Sequence, residues 1–309
     1  MIEIKKLIIK FLLATSIFTS PFIQKVYATE GSGNSEEMKE YAKSVTIGIE
    51  TPGSSGSGIL IGKKGNRYYF LTASHVVLGD PQKEEFWAYS IAGGDTKSYQ
   101  ITSFEKPDIF ADKDLAIGSF VSEDDIPVAL ILSLEGSEYR PGALYVPIRK
   151  YNGKTYNSDW GIQGSIFVGG VSIPTGAIPV PIMRTSTIEM QDRVEGNRDG
   201  YEAIYSVAST VPGMSGGPVY GSRVCRTKEA LNSARFSTVT AKHGMYTGVI
   251  AMHGRSEQYL NSGGRSGTSL GIPLDLFFDF FGKNADKYGI LTGEQYINQA
   301  AKLCINSKN

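Results

Sequence analysis

From Val45 onward, apolar residues recur at every second position in short runs, and turn residues cut the runs apart. Val45, Ile47 and Ile49 set the pattern. A period of two puts one set of side chains on one face of an extended strand, so the bulk of the chain cannot be a helical bundle. Runs at 59–61 and 68–71 flank Lys63, Lys64, Gly65 and Asn66, as in a hairpin. Further runs lie at 86–91, 99–104 and 115–120, with a turn at Gly93, Gly94 and Asp95. A second series begins at 143–148 and turns at Asn152-Gly153. It continues at 165–168, 187–190, 203–207, 219–220, 246–252 and 269–272. Helical signals are confined to the ends: a short start at Ser35, Glu36 and Glu37, a helix over 274–281, and a weaker one over 293–303.

Strands at this spacing, in two similar halves, predict an all-β chain of two closed or nearly closed β-barrels. The expected divisions are 45–125 for the first barrel, 126–142 for the connection, and 143–272 for the second barrel. Residues 273–309 form a C-terminal helix and extension. The 309 residues suffice for this, and 36 glycines with 17 tyrosines and 14 phenylalanines suit turn-rich β structure. Lys and Arg total 31, as do Asp and Glu, without basic clusters, so nucleic acid is not an expected partner. Two cysteines and three histidines exclude a four-cysteine zinc site and a histidine-rich metal centre. No metal or cofactor is expected. Gly53 to Gly58 lacks the lysine and following helix of a phosphate loop.

Residues 1–28 read as a secretory signal peptide: Lys5 and Lys6, an apolar stretch from Leu7 to Phe18, and Ala28 at a cleavage site. The stretch is short for a membrane span, and Lys10 interrupts it. The mature chain is expected to begin near Thr29, secreted or periplasmic, with no stable membrane span. Losing Lys5, Lys6, Lys10 and Lys25 against Glu3 leaves 27 basic and 30 acidic residues. Residues 29–44 are an N-terminal segment or a propeptide. Export would let Cys225 and Cys304 pair as a disulfide.

Three segments carry chemistry. Leu71-Thr72-Ala73-Ser74-His75 ends an apolar strand on a histidine. Asp112-Lys113-Asp114-Leu115-Ala116-Ile117 sets an acid before a buried strand. Pro212-Gly213-Met214-Ser215-Gly216-Gly217-Pro218 holds a serine in a glycine-rich turn. Singly, the histidine and the aspartate read as ordinary structural residues; the serine motif is more specific because several positions must agree. A serine hydroxyl needs a base to take its proton, imidazole suits that task, and a buried carboxylate fixes the imidazole tautomer. Glycine two residues before Ser215 lets the amides of Gly213 and Ser215 turn inward toward an oxyanion.

The order His75, Asp114, Ser215 in these motifs resembles the trypsin/chymotrypsin-like serine peptidases of bacterial type, over roughly residues 45–283. The resemblance implies two six-stranded antiparallel barrels with the site in the cleft between them. It implies His75 and Asp114 from the first barrel, Ser215 from the second, and a closing helix at 274–281. Gly56-Ser57-Gly58 resembles the strand before the histidine in bacterial members. Asp108 and Asp112 compete for the acid role, but only Asp114 directly precedes Leu-Ala. Ser74 replaces the family's usual alanine, a change expected to be tolerated. Met214 stands where animal enzymes carry an aspartate, which disfavours activation by a new amino terminus.

In this family the residues five and six before the serine line the pocket for the residue preceding the cut; here these are Thr210 and Ser209. Neither is acidic, so a preference for Lys or Arg is not expected. Thr210 with His253, at the end of the strand 247–254, is similar to bacterial glutamyl endopeptidases. Both can donate to a substrate carboxylate, and Arg255 can strengthen the field. The expected function is therefore a monomeric serine endopeptidase acting on protein or peptide substrates, with a preference for Glu before the cut. The alternative is a non-catalytic relative that binds through its cleft or extension. An α/β-hydrolase is disfavoured, since that fold runs serine, acid, histidine. His243 receives no role.

Overall fold

The computed structural model describes residues 34–132 except 93 and 94, the short strands between 137 and 155, and residues 166–173, 179–186, 203–206, 211–224, 245–257 and 268–306. The chain enters through helix α1 (Asn34–Val45), which runs directly into β1 (Thr46–Thr51). Strands β2 (Ser54–Lys64), β3 (Arg67–Thr72), β4 (Trp87–Ser90), β5 (Lys97–Glu105) and β6 (Ala116–Val121) follow. They close into an antiparallel barrel in the order β1, β2, β3, β6, β5, β4.

Inside this barrel sit Ile47, Leu60, Phe70, Ile101 and Phe120, all fully or nearly fully buried. Phe120 lies between stacked rings, with centroids 5.5 Å to Tyr68 and 4.8 Å to Tyr99. Gly118 makes room for Phe70: a Cβ there would fall 2.2 Å from the Phe70 ring. The closed barrel leaves no unpaired strand edge, and the alternation along β1 and β3 supplies its core side chains.

Two short ladders come next, β7 (Ser137–Glu138) with β8 (Val146–Pro147), and β9 (Lys150–Tyr151) with β10 (Lys154–Thr155). The second half is a six-stranded sheet. Its strands are β11 (Ile166–Ser172), β12 (Val180–Ser186), β13 (Ala203–Ser206), β14 (Pro218–Val224), β15 (Met245–Glu257) and β16 (Thr268–Pro273). The order is β12, β11, β14, β15, β16, β13, and every pairing is antiparallel. Among the described residues its two end strands do not pair, so the second barrel is seen as an open six-stranded sheet. The strand expected at 187–190 lies outside the described residues; β12 precedes that stretch.

Residues 129–132 tie the halves together. The Ala129 amide donates to the Leu60 carbonyl (2.7 Å), the Leu132 amide to Val249 (2.7 Å), and the Val249 amide back to Leu130 (2.7 Å). Gly48 of β1 abuts Val171 of β11, where a Cβ would fall 2.8 Å from a Val171 methyl.

The ends are more helical than the sequence pattern suggests. α1 spans twelve residues and buries Tyr41, Ala42 and Val45. Tyr41 Oη accepts from the Leu130 amide (2.8 Å), and Tyr220 Oη donates to the Ala42 carbonyl (2.6 Å). At the other end, a 3₁₀ turn (Leu274–Phe277) leads into α2 (Phe278–Lys283), then α3 (Ala285–Tyr288) and α4 (Gly293–Asn306). Phe110 packs edge-on against Phe277 and Phe280, at 4.9 and 5.2 Å. Gly289 adopts φ 65° and accepts from the Lys63 amide (3.1 Å), seating this segment on the first barrel. No helix among the described residues is long and apolar enough to cross a membrane.

Candidate active site

His75 follows β3 at the rim of the first barrel, and Asp114 lies two residues before β6, the strand paired with β3. Strand pairing therefore brings together two residues 39 positions apart. The His75 ring Nδ1 lies 2.5 Å from Asp114 Oδ2, and the His75 amide donates to Oδ1 (2.9 Å). The Ser74 hydroxyl also donates to Oδ1 (2.7 Å). Asp114 is buried and the His75 side chain is 47% exposed, so the ring presents its far edge outward. An ionised carboxylate opposite Nδ1 keeps the proton there and leaves Nε2 with its lone pair. The other two acids face water: Asp112 pairs with the Lys113 ammonium (3.5 Å), and Asp108 opens a 3₁₀ turn.

Ser215 occupies a turn pinned from both halves of the fold. The Ser57 amide of β2 donates to the Ser215 carbonyl (2.8 Å), and the Ser57 hydroxyl donates to the Gly213 carbonyl (2.6 Å). That hydroxyl in turn accepts from the Val171 amide (2.8 Å). On the far side, the Gly216 amide donates to the His253 carbonyl and the His253 amide to the Gly217 carbonyl, both at 2.7 Å. Gly213 and Gly216 adopt φ 95° and 84°, values that L side chains rarely accept. Gly216 is also a close approach, because a Cβ there would fall 2.3 Å from the Ser57 carbonyl and 2.4 Å from Thr72 Oγ1.

The amides of Gly213 and Ser215 donate no hydrogen bond among the described residues. Ser215 Oγ makes none to the His75 ring either; the turns that carry the two residues lie against each other, for a Cβ on Gly216 would fall 2.8 Å from the Ala73 amide nitrogen. Gly56 shows how close the turns are, since a Cβ on it would touch both Val76 (2.5 Å) and the Ser215 carbonyl (3.0 Å). Met214 is fully buried against Gly170 and takes the Val211 amide on its sulfur (3.5 Å). It fills this position as an apolar plug.

His253 is 2% exposed, on β15 beside Gly216 and Gly217. Burial, and then the nearby His75 charge, push its pKa down to about 4, so it is neutral at pH 7. Without substrate it therefore presents a neutral imidazole. Arg255 continues β15 after an irregularity in the pairing with β16. Ser209 and Thr210 lie outside the described residues, as does Cys225, the expected partner of Cys304. Among the described residues, no group of three or more His, Cys, Asp or Glu side chains is arranged to hold a metal ion.

A cavity of about 880 Å³ opens on the first-barrel side of the His75–Asp114 pair, lined by Ser74, Val77, Leu78, Phe104 and Lys106 among others. Ser57, Thr72 and Ser74 support the site through their hydroxyls, a role their motifs do not signal. Each is a small polar residue in a buried or half-buried run, and that is the only mark they leave in the sequence.

A family profile described as a trypsin-like peptidase domain matches residues 56–223, more than half of the chain. None of the curated proteins compared matches. A solved structure described as the crystal structure of Deg5 aligns with a TM-score of 0.47 and 15% identity, over 85% of this chain and 98% of that one.

Proposed function

The chain belongs to the trypsin-like peptidase domain family, and on that premise we propose that it is a serine endopeptidase. The observation that carries the reading is the buried Asp114 holding His75 by ring and backbone, next to the pinned turn of Ser215. In this reading Ser215 Oγ attacks the scissile carbonyl while His75 Nε2 takes its proton. Asp114 stays ionised and stabilises the imidazolium. The amides of Gly213 and Ser215, which have no partner among the described residues, receive the oxyanion. The imidazolium gives its proton to the leaving amine, and an acyl-enzyme remains on Ser215. Water, deprotonated by His75, then releases the acid. The missing Ser215–His75 hydrogen bond forms as substrate seats, since such bonds are often long without it.

The residue before the cut is read as Glu. His253 stands beside the Ser215 turn and would donate a neutral N–H to the substrate carboxylate. Ser209 and Thr210 would supply hydroxyl donors, and Arg255 the positive field. The chain is read as exported by its signal peptide, trimmed near Ala28, and active as a secreted or periplasmic monomer.

The test is a peptide-library digest by the purified mature chain with Ser215→Ala alongside. Cuts after Glu that vanish in the variant support both the chemistry and the pocket. Serine-dependent cuts after other residues keep the chemistry and discard the pocket. A folded chain that cuts nothing overturns the peptidase reading and favours a binding role.

A further inference from the structure

We propose that Ser74 is a positioning residue, whose hydroxyl locks the Asp114 carboxylate in the orientation that serves His75; this rests on the peptidase reading above. A carboxylate on a single Cβ rotates about its last torsion with little resistance. Two donors from consecutive residues stop it here. The Ser74 hydroxyl and the His75 amide both take Oδ1, at 2.7 and 2.9 Å, which leaves Oδ2 facing Nδ1. A serine in a tight turn ordinarily bonds backbone within a few residues. This one reaches a carboxylate 40 positions away.

Two consequences follow from removing the hydroxyl. The carboxylate loses the Ser74 anchor on Oδ1, and the adjoining cavity, which Ser74 and Asp114 both line, gives water access to that oxygen. The carboxylate also keeps more of its charge for His75, because a hydrogen bond to an anion draws charge away from its other partners. The ring should then hold its proton to higher pH. Other charges near the pair are Glu105, Lys106, Asp112 and Lys113 around the cavity, and His253 on β15 lies near enough to feel the charge of His75. None of them changes in a Ser74 variant, so a shift in the His75 titration reports on the hydroxyl.

The experiment compares full-length mature Ser74→Ala and Ser74→Thr with the parent chain. The first readout is kcat and KM across pH on a peptide that the parent cuts in a Ser215-dependent way. The second is the NMR titration of the His75 ring in a Ser215→Ala background, which needs no turnover; its signal is assigned by its loss in His75→Gln. For Ser74→Ala, kcat should fall about tenfold with little change in KM. The His75 titration should move up by about half a pH unit. Ser74→Thr, which keeps the hydroxyl, should recover most of both.

Unchanged kcat with an unmoved titration overturns the proposal. So does a loss of rate with an unmoved titration and a lowered melting temperature, since the hydroxyl would then serve only the fold. Should the parent chain show no Ser215-dependent turnover, the peptidase reading fails and the titration alone decides. A moved midpoint still supports Ser74 holding Asp114, and an unmoved one refutes it.

Discussion

Asp114 carries the clearest chemical distinction at the residue scale. Three acids sit within seven residues, yet only Asp114 is buried and bonded to His75, while Asp112 is exposed on a lysine. Asp114→Asn should lower kcat by about four orders of magnitude, because an amide favours the wrong imidazole tautomer. Asp112→Asn should leave it within about twofold, since an exposed ion pair contributes little. Steady-state kinetics on both variants checks this, and equal losses would undo the assignment. His75, Asp114 and Ser215 were legible in the sequence as candidates because Ser215 lies in a motif of several agreeing positions and the other two fit its order. The sequence hid Ser74 and Ser57 because a small polar residue looks the same whether it bonds water or a buried group. The Ser57 hydroxyl ties β11 to the Gly213 carbonyl, a link between residues 156 positions apart that no local pattern encodes.

Turns, more than strands, decide the geometry among the elements. The Ser215 turn lies against β2 with no room for a side chain at Gly216. Gly216→Ala should cost more than about 2 kcal/mol, as it adds a Cβ clash to a backbone at φ 84°. Urea unfolding of the purified variant measures that loss, and a cost within about 0.5 kcal/mol would contradict the packing. The strands were legible where alternation was clean, as at Ile47 and Ile49 in β1. Helix α1 was not. From Lys39 on, its buried residues are Tyr41, Ala42 and Val45, which sit in a polar run, and Val45 also begins the period-two pattern. Its docking depends on tertiary partners, the Leu130 amide and the Tyr220 hydroxyl. Tyr220→Phe should loosen α1 by about 1 kcal/mol and raise hydrogen exchange there. Unchanged exchange across 34–45 would mean the hydroxyl is not the anchor.

Over the whole molecule, the second half acts as the wall against which the first-barrel pair operates. His253 lies in that wall and links stability to acidity. Burial holds its pKa near 4 in the folded chain, against about 6.5 when unfolded. The unfolded chain thus binds the extra proton first as pH falls. Stability should be intact above pH 6.5 and decline down to about pH 4, by about 3 kcal/mol. Unfolding midpoints of the parent and His253→Gln at pH 7, 5 and 4 test this. The decline should be shallower in the variant; parallel declines would place the sensitive group elsewhere. His75, oriented by Asp114, is proposed to activate Ser215. The most direct measurement is stoichiometric labelling by a fluorophosphonate, followed by intact mass and peptide mapping. One adduct per chain on Ser215, formed rapidly in the parent and lost in His75→Ala, is the predicted result. No adduct in a folded sample, or labelling of Ser215 that is equally fast without His75, would contradict it.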